Sequence, residues 1–341
     1  MRGALVGCGY VSHFHLRAWQ QVPGVRIEAL CDLAAGRAAA RASEFSVPRT
    51  YNDVTRMLDE VRPHFLDVAT RPDSHLPIIR EAAARGIHVL CQKPIAPSLS
   101  ELEEMIRLTQ RASVQLGVNE NWRWRPWHRE MLRLIAKGGI GRPYFLRFTV
   151  RPSQPLAGDA LKRQPYFAQM PRLIIYELGV HLIDTARSYL GDVTSLFSRT
   201  RRVSPLVAGE DVALVLLEFA DRGLGLLDLN WAAASPGRDH RREGYAFRIE
   251  GEGGALQLSP GAAIHLTREG EPTRELSYEL PQDPYLDSYR ACQADFIECL
   301  HTGEPFATGV RETYNTMAAV FAAYESAERG QSMAVPAAPA E

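Results

Sequence analysis

The chain is predicted to be α/β: a doubly wound parallel sheet first, then an α+β domain with a large, mostly antiparallel sheet. Three observations carry this. Short apolar runs alternate with helical patterns through the first third. A glycine pair stands between the first such run and the first helical stretch. After about residue 120 the pattern changes to longer runs separated by tight turns. The first two predict right-handed βαβ units, and the third predicts hairpins.

In order, "GALVG" is followed by a helix from about Ser12, and "RIEALCD" by the Ala/Arg-rich stretch 34–45. "FLDVAT" leads to a helix over 74–85 and "IHVLC" to one over 99–112, and "VQLGVN" closes the series. Runs such as "ALV" and "FLDVA" lack polar alternation, as strands covered on both faces should. Beyond them come a helix over 126–137, the alternating strand "GRPYFLRFTV" and a helix near 177–190. Strand runs then occupy 193–203, 210–219, 223–231, 245–250, 254–258 and 262–267, with turns at "ADRG" and "GEGG". Helical stretches at 285–302 and 309–329 finish the fold, and "VPAAPAE" reads as frayed. This divides the chain into an α/β domain of nucleotide-binding type (1–120), an α+β domain (121–330) and a flexible tail (331–341).

With 341 residues, 45% of them hydrophobic, the chain can bury two sizeable cores. A net charge of −1 without a long basic run offers nucleic acid no electrostatic footprint. Local arginine clusters at Arg199, Arg201 and Arg202, and at Arg238, Arg241 and Arg242, read as solvated faces or loops. Five scattered cysteines without a C-x-x-C pair read as reduced thiols, not as disulfides or a zinc site. No secretory pattern opens the sequence and no apolar run approaches about 18 residues, so a soluble cytoplasmic protein with no membrane partner is expected.

"VGCGYVS" places Gly7 and Gly9 between strand and helix, with Tyr10 and Val11 completing the loop. Gly7 permits a tight turn, and Gly9 lets a pyrophosphate approach the backbone and the helix N-terminus. Ser12 stands at the third position of the G-x-G-x-x-G pattern and is small enough for close packing. Asp32 ends the second strand, 23 residues beyond Gly9. There a carboxylate accepts from adenosine ribose hydroxyls and repels a 2′-phosphate, favouring NAD over NADP, although Arg37 lies nearby. It could equally cap the next helix. "ATRPDSH" puts Thr70, Arg71 and Pro72 at the C-terminal edge of a strand, where ligands of open parallel sheets bind, with Asp73 or Ser74 available to cap the following helix. "VLCQKPIA" sets Gln92 and Lys93 at another strand end with Pro94 behind them. In the second half, Glu177, His181 and Asp184 are spaced i, i+4, i+7, which shares one α-helical face and makes a plausible acid/base unit, a spacing that could also serve a metal.

The combination of "VGCGYVS", "ATRPDSH" and "VLCQKP" resembles the Gfo/Idh/MocA oxidoreductases, in motif order and spacing, over about residues 2–330. The resemblance implies that Lys93 is the family's lysine between nicotinamide and substrate, with Gln92 where relatives usually carry Glu. It implies that His75 helps shape the cofactor site. It makes His181 the base for a substrate hydroxyl, with Glu177 in place of the usual Asp and Gly179 allowing close approach. By the resemblance, "NENWRWRPWHR" stands where the family carries a shorter N-x-x-R-x-x-P type segment lining the cleft, with Asn119, Arg123 and Pro126 in comparable places, so Asn119, Arg123 and Trp124 are substrate-binding candidates; rings beside arginines suit a polyol, though the tryptophans could serve packing alone. "KRQPYFAQMPR" is read as a loop over the cleft, contributing Lys162, Tyr166 and Arg172. The expectation is an NAD-dependent dehydrogenase of a secondary hydroxyl on a sugar, cyclitol or sugar derivative, metal-free, and a homodimer or homotetramer. NAD-recycling glycoside cleavage and a non-catalytic sensor stay open as alternatives.

Overall fold

A computed structural model describes residues 1–152, 160–233 and 245–339. Arg238, Arg241 and Arg242 lie outside the described residues. The chain divides into two units. The first comprises Met1–Asn121, Leu286–Tyr314 and the described tail from Ala338; the second comprises Trp122–Tyr285 and Asn315–Ala337. A linear division at residue 120 therefore leaves out a returning segment, because helical periodicity shows that 285–302 forms a helix but not which core it covers.

The first unit holds a six-stranded parallel sheet of β1 (Arg2–Val6), β2 (Arg26–Cys31), β3 (Arg49–Tyr51), β4 (Phe65–Val68), β5 (His88–Gln92) and β6 (Leu116–Asn119). Its order is β3-β2-β1-β4-β5-β6, the doubly wound arrangement whose strand order reverses beside β1. The last four residues of β1 and all of β4 are buried, as the unbroken apolar runs require. β3 and the helix Val54–Val61 add to the expected series; three half-polar edge residues leave little trace in a hydrophobic pattern. The helix Leu99–Arg111 starts on Ser98, whose hydroxyl accepts from the Glu101 N–H at 3.3 Å.

The second unit carries a mixed sheet of β7 (Pro143–Val150), β8 (Val193–Arg201), β9 (Val212–Phe219), β10 (Leu224–Asn230), β11 (Tyr245–Gly251), β12 (Gly254–Ser259), β13 (Ala263–Thr267), β14 (Arg274–Leu276) and β15 (Met333–Ala334). The order is β14-β13-β12-β11-β7-β10-β9-β8-β15. Among the described strands of this sheet, the β7–β10 pairing alone is parallel. The "ADRG" turn joins β9 to β10 with Arg222 at φ 62°, and "GEGG" closes the β11–β12 hairpin. One correction concerns the tail: Met333–Ala334 pairs with β8, and the Val335 N–H reaches Thr194 O at 2.9 Å, so the expected flexible segment begins with an edge strand. Alternation along β9 buries Ala213, Val215, Leu217 and Phe219 and leaves Leu214 and Leu216 about half exposed (49% and 46%). Leu224 and Tyr144 add to the exposed apolar surface of the sheet.

Candidate active site

The candidate nucleotide residues lie in the first unit, at the C-terminal ends of β1, β2, β4 and β5. Gly7 has φ +95°, and a Cβ there would meet Ala69 O at 2.6 Å and Thr70 Cγ2 at 2.8 Å. Only glycine makes this turn. A Cβ on Gly9 would meet nothing within 4 Å, so the loop has open space at the place a pyrophosphate needs. No side chain caps the helix Ser12–Trp19; the Ser12 hydroxyl turns back to Gly9 O at 2.7 Å. Its first-turn N–H groups are the donors an anion would use.

Asp32 accepts from Cys8 N–H through Oδ2 and from Ala34 N–H through Oδ1, both at 2.8 Å. It ties the glycine loop to the start of the helix Ala35–Phe45, and because each carboxylate oxygen has two lone pairs, each retains capacity for a ribose hydroxyl. Arg41, which the sequence reading missed, donates to Gly9 O at 3.0 Å and to Glu44 at 2.5 Å, fixing the loop from the other side. An arginine within an Ala/Arg-rich helix gives no signal of that role. Burial pushes the Cys8 thiol up to about 12 and the Cys31 thiol up to about 11, so both are inert at neutral pH. Tyr10 is partly exposed, with its ring edge-on to Phe14 at 5.4 Å; Val11 is half-buried.

Two strand-end loops lie beside this turn, after β4 and β5. Thr70 and Pro72 are half-buried and Arg71 is exposed. Ser74 does not cap its helix: its hydroxyl bonds back to Thr70 Oγ1 and Arg71 O, both at 2.8 Å, and Asp73 is exposed, 3.6 Å from Arg71. His75 is fully buried, with Nδ1 2.9 Å from Ile95 O and Nε2 3.2 Å from Thr70 O. Desolvation holds it below the usual histidine range, against the opposite pull of the two carbonyl oxygens. It stands between the "TRPDS" loop and the "KPIA" loop, the packing role by which it would shape the cofactor site. Gln92 is buried, and its Oε1 accepts the Lys93 backbone N–H at 2.9 Å. Lys93 itself is half-buried and precedes the buried Pro94, Ile95 and Ala96. Asn119, at the end of β6, is fully buried with its amide 3.3 Å from both ring nitrogens of His15. That core position corrects the expectation that Asn119 lines a substrate surface.

In the second unit the helix that carries Glu177, His181 and Asp184 opens with a π turn, Ile175–Gly179, before the α-helix Val180–Leu190. Such a turn inserts an extra residue and is frequent at functional sites. Glu177 and His181 are each 8% exposed, and Asp184 is 1% exposed. Val180–Leu190 keeps the 3.6-residue count from His181 to Asp184, while Glu177 lies within the π turn. A Cβ on Gly179 would press Ile175 Cγ2 at 3.3 Å, so its small size serves packing of that turn.

The 3₁₀ turn Trp122–Trp124 grips this helix. Arg123 donates from Nε to Asp184 Oδ2 at 2.8 Å and from Nη2 to Oδ1 at 2.6 Å, a bidentate fork. The Trp122 and His181 rings stack at 4.7 Å and 10°. Arg123, expected on the substrate, is half-buried and forks onto Asp184, while Trp124 keeps partial exposure with the Arg123 guanidinium 5.9 Å from its ring. Glu210, also missed, anchors the start of the helix. It accepts from Leu173 N–H (3.1 Å) and Ile175 N–H (3.1 Å), and from Tyr324 OH at 2.6 Å. Burial beside Glu210 drives the Tyr324 hydroxyl far above its usual range, fixing it as a donor.

The segment read as a loop over the cleft forms short helical turns, Leu161–Arg163 and Pro165–Gln169. Phe167 anchors it against Leu173 and Val207. Tyr166 packs on that cluster and donates to Gln164 at 3.0 Å; Lys162 is exposed. Arg172 is exposed, 5.3 Å from the ring centres of Phe321 and Tyr324. Among the described residues, no group of three or more His, Cys, Asp or Glu side chains is placed to hold a metal ion.

The first unit thus defines a dinucleotide-binding α/β protein, and its turn, acid and open phosphate position fit NAD. Residues 1–120 match the oxidoreductase family with NAD-binding Rossmann fold, GFO_IDH_MocA, and residues 128–257 match the GFO/IDH/MocA C-terminal domain. The chain belongs to this family of oxidoreductases. It is 34% identical to a D-apiose dehydrogenase of Paraburkholderia graminis, covering 100% of this chain and 91% of that protein. A D-apiose dehydrogenase of Rhizobium rhizogenes is 33% identical, with 99% and 98% covered. Among solved structures, an Agrobacterium radiobacter oxidoreductase in complex with NAD+, L-tartaric acid and magnesium superposes with a TM-score of 0.90 at 33% identity, covering 98% of each chain.

Proposed function

We propose that the protein is an NAD-dependent dehydrogenase exchanging hydride with a secondary hydroxyl of a sugar or cyclitol, with D-apiose the first substrate to test. One observation carries the reading: a buried histidine with its ring plane fixed, following a buried glutamate by four residues, in a chain with an NAD-binding fold. Bound NAD supplies the hydride acceptor. Gly7, Gly9 and the first-turn N–H groups of Ser12–Trp19 hold the pyrophosphate, and Asp32 holds the ribose. The loops at Thr70–Pro72 and Gln92–Lys93 border the nicotinamide end. His181 takes the hydroxyl proton, and Lys93 donates to the reacting oxygen and offsets its developing charge. Glu177 accepts from a neighbouring hydroxyl. Trp124, Tyr166 and Arg172 are the substrate-side residues that keep exposed surface.

The test is NADH absorbance with purified protein against D-apiose, other pentoses, myo-inositol and sugar acids. Turnover of at least one is expected, with NAD preferred at least about tenfold over NADP, ~1.4 kcal/mol. Release of a leaving group from glycosides without net NADH, or sugar binding without either product, overturns the reading.

We also propose a homodimer or homotetramer paired through the exposed sheet face that carries Leu214, Leu216 and Leu224. Contiguous apolar surface of this kind marks an interaction site. Light scattering at micromolar concentration is expected to return a multiple of 38.0 kDa; a monomer refutes the pairing. A cytoplasmic setting is supported by five free, buried cysteines. Among the described residues no helix is long and apolar enough to cross a membrane.

A further inference from the structure

We propose that Trp122 is a positioning residue for the reaction, setting the plane of the His181 imidazole, and that Arg125 locks the indole in place. The proposal rests on the reading of His181 as the base. The two rings lie 4.7 Å apart and only 10° from parallel, so the indole covers one face of the imidazole. A stacked aromatic pair fixes the ring torsion that an isolated histidine leaves broad. Proton transfer needs that torsion held, because the accepting nitrogen must point along the hydroxyl bond.

The indole is fixed in turn. The Arg125 guanidinium carbon sits 3.8 Å from the Trp122 ring centre and 5.4 Å from that of Trp127. Arg125 is 2% exposed and Trp122 8%, so the stack is sheltered from water and the cation–π attraction is little screened. Next to Trp122 in sequence, Arg123 forks onto Asp184, three residues beyond His181 on the same helix. The 3₁₀ turn therefore holds the helix at two points, and the ring contact falls on the residue that must present a lone pair. Packing alone would be met by any apolar side chain of similar volume. Ring orientation requires an aromatic one.

The experiment uses the full chain with NAD and the panel sugar that it oxidises fastest. Trp122→Leu is expected to lower kcat about ten- to a hundredfold, with KM and NAD affinity within about twofold, and Trp122→Phe is expected to recover most of the loss. In a His181→Ala background, Trp122→Leu is expected to have no further effect, since a residue acting through the base has nothing left to act on. An unchanged kcat in Trp122→Leu, a Phe variant as impaired as the Leu variant, or the same loss without His181 overturns the proposal. Full activity in His181→Ala would instead sink the base assignment itself. Should Trp122→Leu not fold, the unsubstituted protein still decides. The His181 ring protons, identified by their loss in His181→Gln, are expected to be shifted upfield by the indole ring current, and unshifted protons overturn the stack in solution.

Discussion

Replacing Lys93 by alanine is expected to abolish hydride transfer while leaving NAD affinity within about threefold, ~0.7 kcal/mol. The backbone at this position is pinned independently of the lysine side chain. Gln92 Oε1 holds the Lys93 N–H, Ile95 O lies 2.9 Å from buried His75, and Pro94, Ile95 and Ala96 are buried. Truncation at Cβ therefore removes the ammonium group without releasing the strand-end loop. The expected phosphate and ribose contacts belong to Gly7, Gly9 and Asp32, so cofactor binding has no reason to fall far. Loss of a donor aimed at a developing oxyanion costs ~10²–10³ in rate by itself, and loss of substrate orientation multiplies this. Single-turnover NADH formation separates the two, with cofactor titration by fluorescence measured beside it. Turnover within tenfold of the unsubstituted protein would reduce Lys93 to a strand-end charge. Gln92→Glu should preserve the loop, because a carboxylate oxygen can accept the same N–H; the amide is a positional substitute here, not a vacancy in the motif.

What the sequence made legible follows from the range of the interactions involved. Buried parallel strands advertise themselves locally, so β1, β2, β4, β5 and β6 were readable from runs of five residues or so, and Gly7 and Asp32 from their distance to those runs. The alternation of β9 and β10 gave the half-exposed sheet in the same way. The π turn was not readable, because periodicity assumes 3.6 residues per turn and Ile175–Gly179 breaks it. Partners distant in sequence were equally hidden. Arg123 and Asp184 are 61 residues apart, Trp122 and His181 are nearly as distant, and Glu210 lies 35 residues from the Ile175 N–H it accepts. Each is an ordinary arginine, tryptophan or glutamate until the fold supplies its counterpart. The family pattern named His181 and Arg123; what it could not show is the tryptophan ring stacked on the one and the aspartate forked by the other.

The same blindness hid the acid inside "FLDVA", and its removal is expected to be the most destabilising single change in the first unit. Asp67 lies on β4, fully buried, with both oxygens 2.9–3.0 Å from His15 Nδ1 and Oδ2 accepting from Trp19 Nε1 at 2.6 Å. His15 is equally buried; its Nδ1–H serves Asp67, and the Asn119 amide lies 3.3 Å from Nε2. Asp67→Ala strips the acceptor from two buried N–H groups that water cannot reach, and breaking a buried polar pair in this way costs ~3–5 kcal/mol. Asp67→Asn retains one carbonyl oxygen for two donors and turns an NH₂ toward one of them, so it should cost less, ~1–3 kcal/mol. Asp67→Leu is no rescue: it fills the volume and leaves the same donors orphaned. Urea unfolding followed by far-UV circular dichroism measures the ranking, with kcat per folded molecule expected to stay within about twofold because the cluster lies among buried side chains of the first unit. An alanine variant as stable as the parent would mean that His15 and Trp19 find other acceptors, and that the carboxylate is an accessory of the core and not its fixing point.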